Sequence, residues 1–277
     1  MRLVLTTCLV LVFFAANSVL ARAALLDGGM SPGAFTAIRL VSGAAMLAII
    51  VAVQGLAPWR AGSVGGALGL YAYAAAFSFA YVAMQAGPGA LVLFGAVQIT
   101  MFAGAVLQGT RPPARRWIGS VLSLLGLAIL TLPGTTAPPL WAALAMGVAG
   151  IAWGVYSLIG ARAASPLAAT AGNFLWAAPL GLATWFFLPG EGLAWQGVVL
   201  AVASGAITSG LGYALWYAVL PRLDASSAAL SQLTVPLIAL AGGLVFLREL
   251  PTTHFALAAF LILGGVAYGL APRKKLP

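Results

Sequence analysis

Charge is nearly absent from the interior of this chain, and that absence decides what it can fold into. Thirteen basic and four acidic residues occur among 277. They gather in short joints and leave uncharged runs at 61–110, 117–161, 163–190, 192–221 and 225–247. About 20 apolar residues, wound as a helix, cross a hydrocarbon layer about 30 Å thick. Runs of this length have no counterpart in a soluble core. The chain is 62% hydrophobic and 6% charged, where soluble domains average about 45–50% and about 25%. The expected class is an all-α membrane protein. A closed β-barrel would show short alternating segments instead of continuous apolar runs.

Pro and Gly divide the runs at "DGGMSP" (27–32), "APW" (57–59), "AGPG" (86–89), "TRPPARR" (110–116), "PGTTAPP" (133–139) and "LPGEG" (188–192). These residues end helices or turn the chain. Ten transmembrane helices are expected, near 3–26, 33–56, 62–85, 88–109, 117–133, 140–160, 167–188, 195–220, 225–247 and 253–271. Arg2, the apolar run after it and "SVLARA" together resemble a signal peptide. The repeat described next needs that first helix, so it is expected to be retained.

The joints alternate in charge. With the N-terminus in the cytoplasm, the inner joints hold Arg60, Arg111, Arg115, Arg116, Arg162 and Arg222, and the termini add Arg2, Arg273, Lys274 and Lys275. The outer joints hold Asp27, Glu191, Glu249 and Arg248. The positive-inside rule then puts both termini inside. On these flanks the net charge of +9 is a topology signal, and no nucleic-acid partner is expected.

The halves are alike. "SPGAFTAIRLVSGAAML" (31–47) matches "SPLAATAGNFLWAAPLGL" (165–182) around Ser-Pro. Pro112, Leu122, Leu124, Gly126 and Ala128 match Pro251, Leu261, Leu263, Gly265 and Ala267 at one constant offset. Residues 1–135 and 136–277 are thus expected to be two five-helix repeats. Five is odd, so the second is inverted relative to the first. Inverted repeats around a midplane site are a transporter architecture.

Two stretches carry a family resemblance. "GIAWGVYSLIGARAASPLAA" (150–169) has Trp-Gly and a later Ser-Pro. "QLTVPLIALAGGLVFLRELPTTHFALAAFLILGGVAYGL" (232–270) has a Pro, Gly pairs and Glu249 before a helix with Gly264-Gly265. The chain resembles the EamA repeat of the drug/metabolite transporter superfamily. Its first half keeps Ser-Pro and Arg39 but has Ala-Ala where Trp-Gly is common, and Thr110 where the second half has Glu249. The resemblance covers essentially the whole chain. It implies a bundle of two inverted five-helix repeats around a central cavity. Among relatives, the chain looks most like the YddG-type aromatic amino acid exporters of bacterial inner membranes.

The chemistry available is limited. Cys8 and His254 are the sole cysteine and histidine, so no disulfide, multi-Cys metal site or Ser–His–Asp set is open to the chain. No Asp, Glu, Lys or His falls in the middle of an expected helix. Such groups usually carry proton or sodium coupling, so facilitated transport is expected, without cofactor, metal or catalysis. What remains are rings and amides at helical spacing: Phe77 and Tyr81; Phe94, Gln98 and Met101; Trp153, Tyr156 and Ser157; Tyr213, Trp216 and Tyr217. Asn17, Ser231 and Gln232 add polar groups. The amides have two open roles, bonding helix to helix or lining a cavity, since a bare amide in hydrocarbon is costly. The rings could equally form interfacial belts. Pro236 is expected to kink the ninth helix and free the Gln232 carbonyl for a ligand. Arg39 lies within a helix. It either snorkels to the outer interface, toward Asp27, or serves as a gate or an anchor for a substrate carboxylate.

The expectation is an inner-membrane exporter of aromatic and other neutral amino acids by alternating access, its partners a small molecule and the lipid bilayer. A neutral zwitterion fits an uncharged, aromatic cavity. Export of lipophilic or cationic drugs is the alternative within the fold. A channel or a non-transporting membrane scaffold is the alternative of another class.

Overall fold

A computed structural model describes residues 2–26, 29–55, 57, 61–107, 109, 113–131, 138–160, 162–219, 222–223, 231–232 and 234–271. Asp27, Arg60, Thr110, Arg111, the 135/136 boundary, the start of the ninth helix (225–230) and the basic tail 273–275 lie outside them.

The described residues form ten helices: α1 (Arg2–Leu25), α2 (Pro32–Val53), α3 (Val64–Tyr81), α4 (Ala86–Leu107), α5 (Ala114–Thr131), α6 (Leu140–Gly160), α7 (Pro166–Phe187), α8 (Trp195–Val219), α9 (Val235–Leu247) and α10 (Thr253–Leu270). Six of them (α1, α2, α3, α4, α6 and α8) are long and apolar enough to cross a membrane. Asn173, Pro179 and two tryptophans dilute the apolar character of α7, although its 22 residues have the length.

The starts follow from local chemistry. Ser31 caps α2 by accepting from the Ala34 N–H at 3.3 Å, and Pro32 follows in the first turn, where no backbone donor is needed. Ser63 caps α3 at 3.0 Å and Thr252 caps α10 at 3.1 Å in the same way. Pro236 does not kink a helix interior. It lies in the first turn of α9 and opens the helix instead of kinking it, which is the position where its missing N–H costs nothing.

Helices pack in a regular set of partners. α5 lies along α10, α2 along α7, and α4 along α9; α3 packs on α6 and α7, α8 on α1 and α2, α6 on α4, and α9 on α1. Small residues permit the closest approaches. A Cβ on Gly119 would meet the Gly265 carbonyl, and one on Gly205 would meet the Arg39 carbonyl and the Ser42 hydroxyl. These contacts exclude any side chain larger than hydrogen.

One end of the bundle is tied by the joints themselves. The Ser31 N–H donates to the Gly192 carbonyl at 3.1 Å, and the Ala194 N–H to the Gly29 carbonyl at 2.9 Å. These bonds join the α1–α2 and α7–α8 connections. At the same end Arg22 meets Glu249 at 3.1 Å, which joins α1 to the α9–α10 connection. Exposed Arg162 and Arg222 follow α6 and α8 at the opposite end.

Candidate functional site

The middle of α8 departs from α-helical geometry. Ala203–Leu211 is a π-helical segment, and the Gly212 N–H bonds the Ile207 carbonyl five residues back. Such segments are rare and gather at functional sites. This one presents Ser204, Thr208 and Ser209, all buried, to the neighbouring helices.

Asn17 of α1 receives two of them. Its Oδ1 accepts from the Ser204 hydroxyl at 2.6 Å and from Thr208 at 3.1 Å. Its Nδ2 donates to the Tyr73 hydroxyl of α3 at 3.3 Å. That hydroxyl also accepts from Nη2 of Arg39 at 2.9 Å. Nε of Arg39 donates to the Ser209 hydroxyl at 3.2 Å, which closes the network back on α8. Four helices thus share one polar cluster. The two roles open to the Asn17 amide are combined: it bonds helix to helix and it lines a cavity.

Arg39 is 1% exposed. It does not reach the surface, so the snorkelling expectation gives way. Enclosure is the physical reason: the guanidinium carbon lies 4.9 Å from the Tyr73 ring centre and 4.7 Å from that of Phe77, at cation–π distance. No described carboxylate pairs with it. Glu249 is held by Arg22 and by the Ala86 N–H at 2.7 Å, and Glu191 is exposed. Among the described residues Nη1 of Arg39 has no hydrogen-bond partner. The site is therefore not uncharged, as its sequence suggested, but has a fixed positive charge behind its wall.

The cavity lies on the far side of that wall. Its volume is about 20 Å³, room for about one water. Phe14, Asn17 and Ser18 of α1, Tyr73 and Phe77 of α3, Leu93 and Phe94 of α4, Trp153 of α6, and Thr208 and Tyr213 of α8 line it. Trp153 is central to the rings, with Tyr73 and Tyr213 each 4.9 Å away, centre to centre.

Of the residues singled out from sequence, Asn17, Phe77, Phe94, Trp153 and Tyr213 meet at this cavity. Others stand one layer behind. Tyr81 packs edge-on against Phe77 at 4.6 Å, and its hydroxyl donates to the Ala86 carbonyl. Trp216 packs on Phe14 at 5.8 Å. Tyr156 lies beside Trp153 and donates to Thr170 at 3.2 Å. The Ser157 hydroxyl returns to the Trp153 carbonyl at 2.7 Å. Tyr217, Gln98, Met101, Ser231 and Gln232 are half-buried and do not line the cavity. Pro236 is buried at the start of α9.

Sequence reasoning missed Phe14, Ser18, Tyr73, Leu93 and Thr208. Tyr73 had a signal, since it precedes Phe77 and Tyr81 at four-residue spacing. Thr208 had none, because a π-helical turn breaks the periodicity used to find faces.

Residues 140–269 match the EamA-like transporter family. An uncharacterized protein of Pseudomonas aeruginosa is 46% identical over 98% of this chain and 96% of its own length. A probable terminal-alkyne amino-acid exporter of Streptantibioticus cattleyicolor is 26% identical over 73% of this chain and 69% of its own. A protein crystal structure shares the fold with a TM-score of 0.69 at 22% identity, covering 96% of each chain. The helices are those of a multi-pass membrane protein, and the chain belongs to the EamA-like transporters of the drug/metabolite transporter superfamily.

Proposed function

We propose that this protein exports aromatic and other neutral amino acids across the bacterial inner membrane by alternating access, without ion coupling. The observation that carries the reading is the cavity itself. Six rings surround it, with Asn17, Ser18 and Thr208 as a polar edge. Flat apolar groups suit such walls, and a few placed polar groups orient the rest of a ligand. The relative described as an amino-acid exporter supports the cargo class.

Two inverted five-helix repeats, 1–135 and 136–277, account for the packing. A shift of five helices turns α3–α6 into α8–α1, α4–α6 into α9–α1 and α3–α7 into α8–α2, and it returns α5–α10, α2–α7 and α4–α9 to themselves. With both termini cytoplasmic, the tied end that carries Arg22 and Glu249 is the outer one. A cavity with room for one water admits cargo once the helices part. Rocking one repeat against the other does this around a fixed site.

Export of lipophilic cations is the second reading, favoured by the ring-lined wall. Thermal unfolding of the detergent-solubilised protein separates the two, because a ligand of the folded state raises its apparent stability. The first reading expects Trp, Phe or Met to raise the midpoint. A shift with quaternary cations and none with neutral amino acids overturns it.

A further inference from the structure

We propose that Arg39 makes this site select cargo by its carboxylate: aromatic carboxylates are admitted, and the matching cations without a carboxylate are refused. The inference rests on the reading that the ring-lined cavity is the cargo site. It goes beyond that reading by naming which pole of the cargo is read.

The charge at Arg39 is fixed, because a guanidinium stays protonated in proteins. Its described neighbours are neutral hydroxyls: Ser209 and Tyr73, which accept its hydrogen bonds, and Tyr213 close by. The first two satisfy two N–H groups, and none cancels the charge. A buried charge without a counter-charge is costly, and in a membrane protein such a group marks a functional site by default. Among the described residues Nη1 has no hydrogen-bond partner, and Arg39 does not itself line the cavity, so its charge acts on cargo through the field it sets up rather than by direct contact.

Position ties the charge to the cavity. Tyr73 and Phe77 cover the guanidinium and also line the cavity. Tyr73 shares its hydroxyl between Arg39 and Asn17. In this low-dielectric interior the charge acts through one ring's thickness with little screening.

The polar edge has the same bias. Asn17 Oδ1 already accepts from the Ser204 hydroxyl at 2.6 Å, and the Thr208 hydroxyl, whose one proton is shared between Asn17 Oδ1 at 3.1 Å and the Ser204 carbonyl at 2.8 Å, crowds it further. What the amide can still offer is N–H. A donor-rich edge beside a fixed cation suits a carboxylate and repels an ammonium group. No described acidic residue lies at the cavity to hold that ammonium.

The test uses the full chain in lipid nanodiscs with three ligands of one shape. Tryptophan has both charges, N-acetyltryptophan keeps only the carboxylate, and tryptophanamide keeps only the amine. Equilibrium binding should place N-acetyltryptophan near tryptophan and tryptophanamide about tenfold or more weaker. R39Q should narrow that gap and R39K should keep it. The ratio between ligands reads charge selection, which a purely structural role would leave unchanged. If R39Q fails to fold, the series on the unsubstituted protein still decides. Binding of N-acetyltryptophan and indole-3-propionate without tryptophan overturns the amino-acid reading and supports carboxylate selection. Tryptophanamide binding as tightly as N-acetyltryptophan overturns carboxylate selection, as does the absence of binding by all of these ligands.

Discussion

Arg22 and Glu249 stand 227 residues apart in sequence and 3.1 Å apart in space. Each also satisfies backbone. Nη1 of Arg22 donates to the Tyr81 and Val82 carbonyls at 3.0 and 2.8 Å, where α3 ends. Oε2 of Glu249 accepts from the Ala86 N–H at 2.7 Å, where α4 begins. One ion pair therefore caps two helix ends and ties three helices and the α9–α10 connection together at one end of the bundle.

Removing one partner leaves the other charge and the helix ends unsatisfied. Their side chains are 14% and 10% exposed, so the cost falls between that of surface and buried pairs, at about 2–4 kcal/mol. Arg22→Gln and Glu249→Gln should each lower the thermal midpoint, and the double variant should lose less than the sum. Strictly additive losses would show that the two act independently.

Asn17 separates stability from cargo selection. Asn17→Asp keeps two oxygen acceptors for Ser204, Thr208 and the Tyr73 hydroxyl, and it puts a carboxylate one hydroxyl away from Arg39. The midpoint should rise, while affinity for carboxylate cargo falls about tenfold or more. Asn17→Leu leaves the Ser204 hydroxyl without its side-chain partner and should cost about 1–3 kcal/mol. A lower midpoint with unchanged affinity in Asn17→Asp would contradict the account.

Glycine substitutions should split by contact. Gly205→Ala drives a methyl into the Arg39 carbonyl and should destabilise by about 1–3 kcal/mol while disturbing the Ser209–Arg39 bond. Gly264 has nothing within 4 Å of an added Cβ, so Gly264→Ala should be neutral or stabilise by up to about 1 kcal/mol. Thermal unfolding of the two variants side by side checks this, and equal losses would refute it.

Much of the architecture was legible because charge exclusion and helix punctuation are local. Ser31-Pro32 and Ser165-Pro166 announced helix starts that the structure contains. Trp153, Asn17 and Phe77 were legible as site residues, being rings or amides deep within uncharged runs. The state of Arg39 was not. Its burial depends on Tyr73, Phe77 and Ser209 closing around it from two other helices, and no spacing within α2 encodes that. Pro236 was misplaced because the apolar run passes without a break into α9, so the turn before it left no mark in composition.

The central claim is that aromatic amino acids cross the membrane through the cavity around Trp153. Flux of labelled tryptophan into proteoliposomes, driven only by its own gradient at equal pH and sodium on both sides, tests it most directly. The account predicts saturable flux that Trp153→Ala lowers about tenfold or more while protein yield and thermal midpoint permit comparison. Flux no greater than in protein-free liposomes, or flux unchanged in Trp153→Ala, would contradict it.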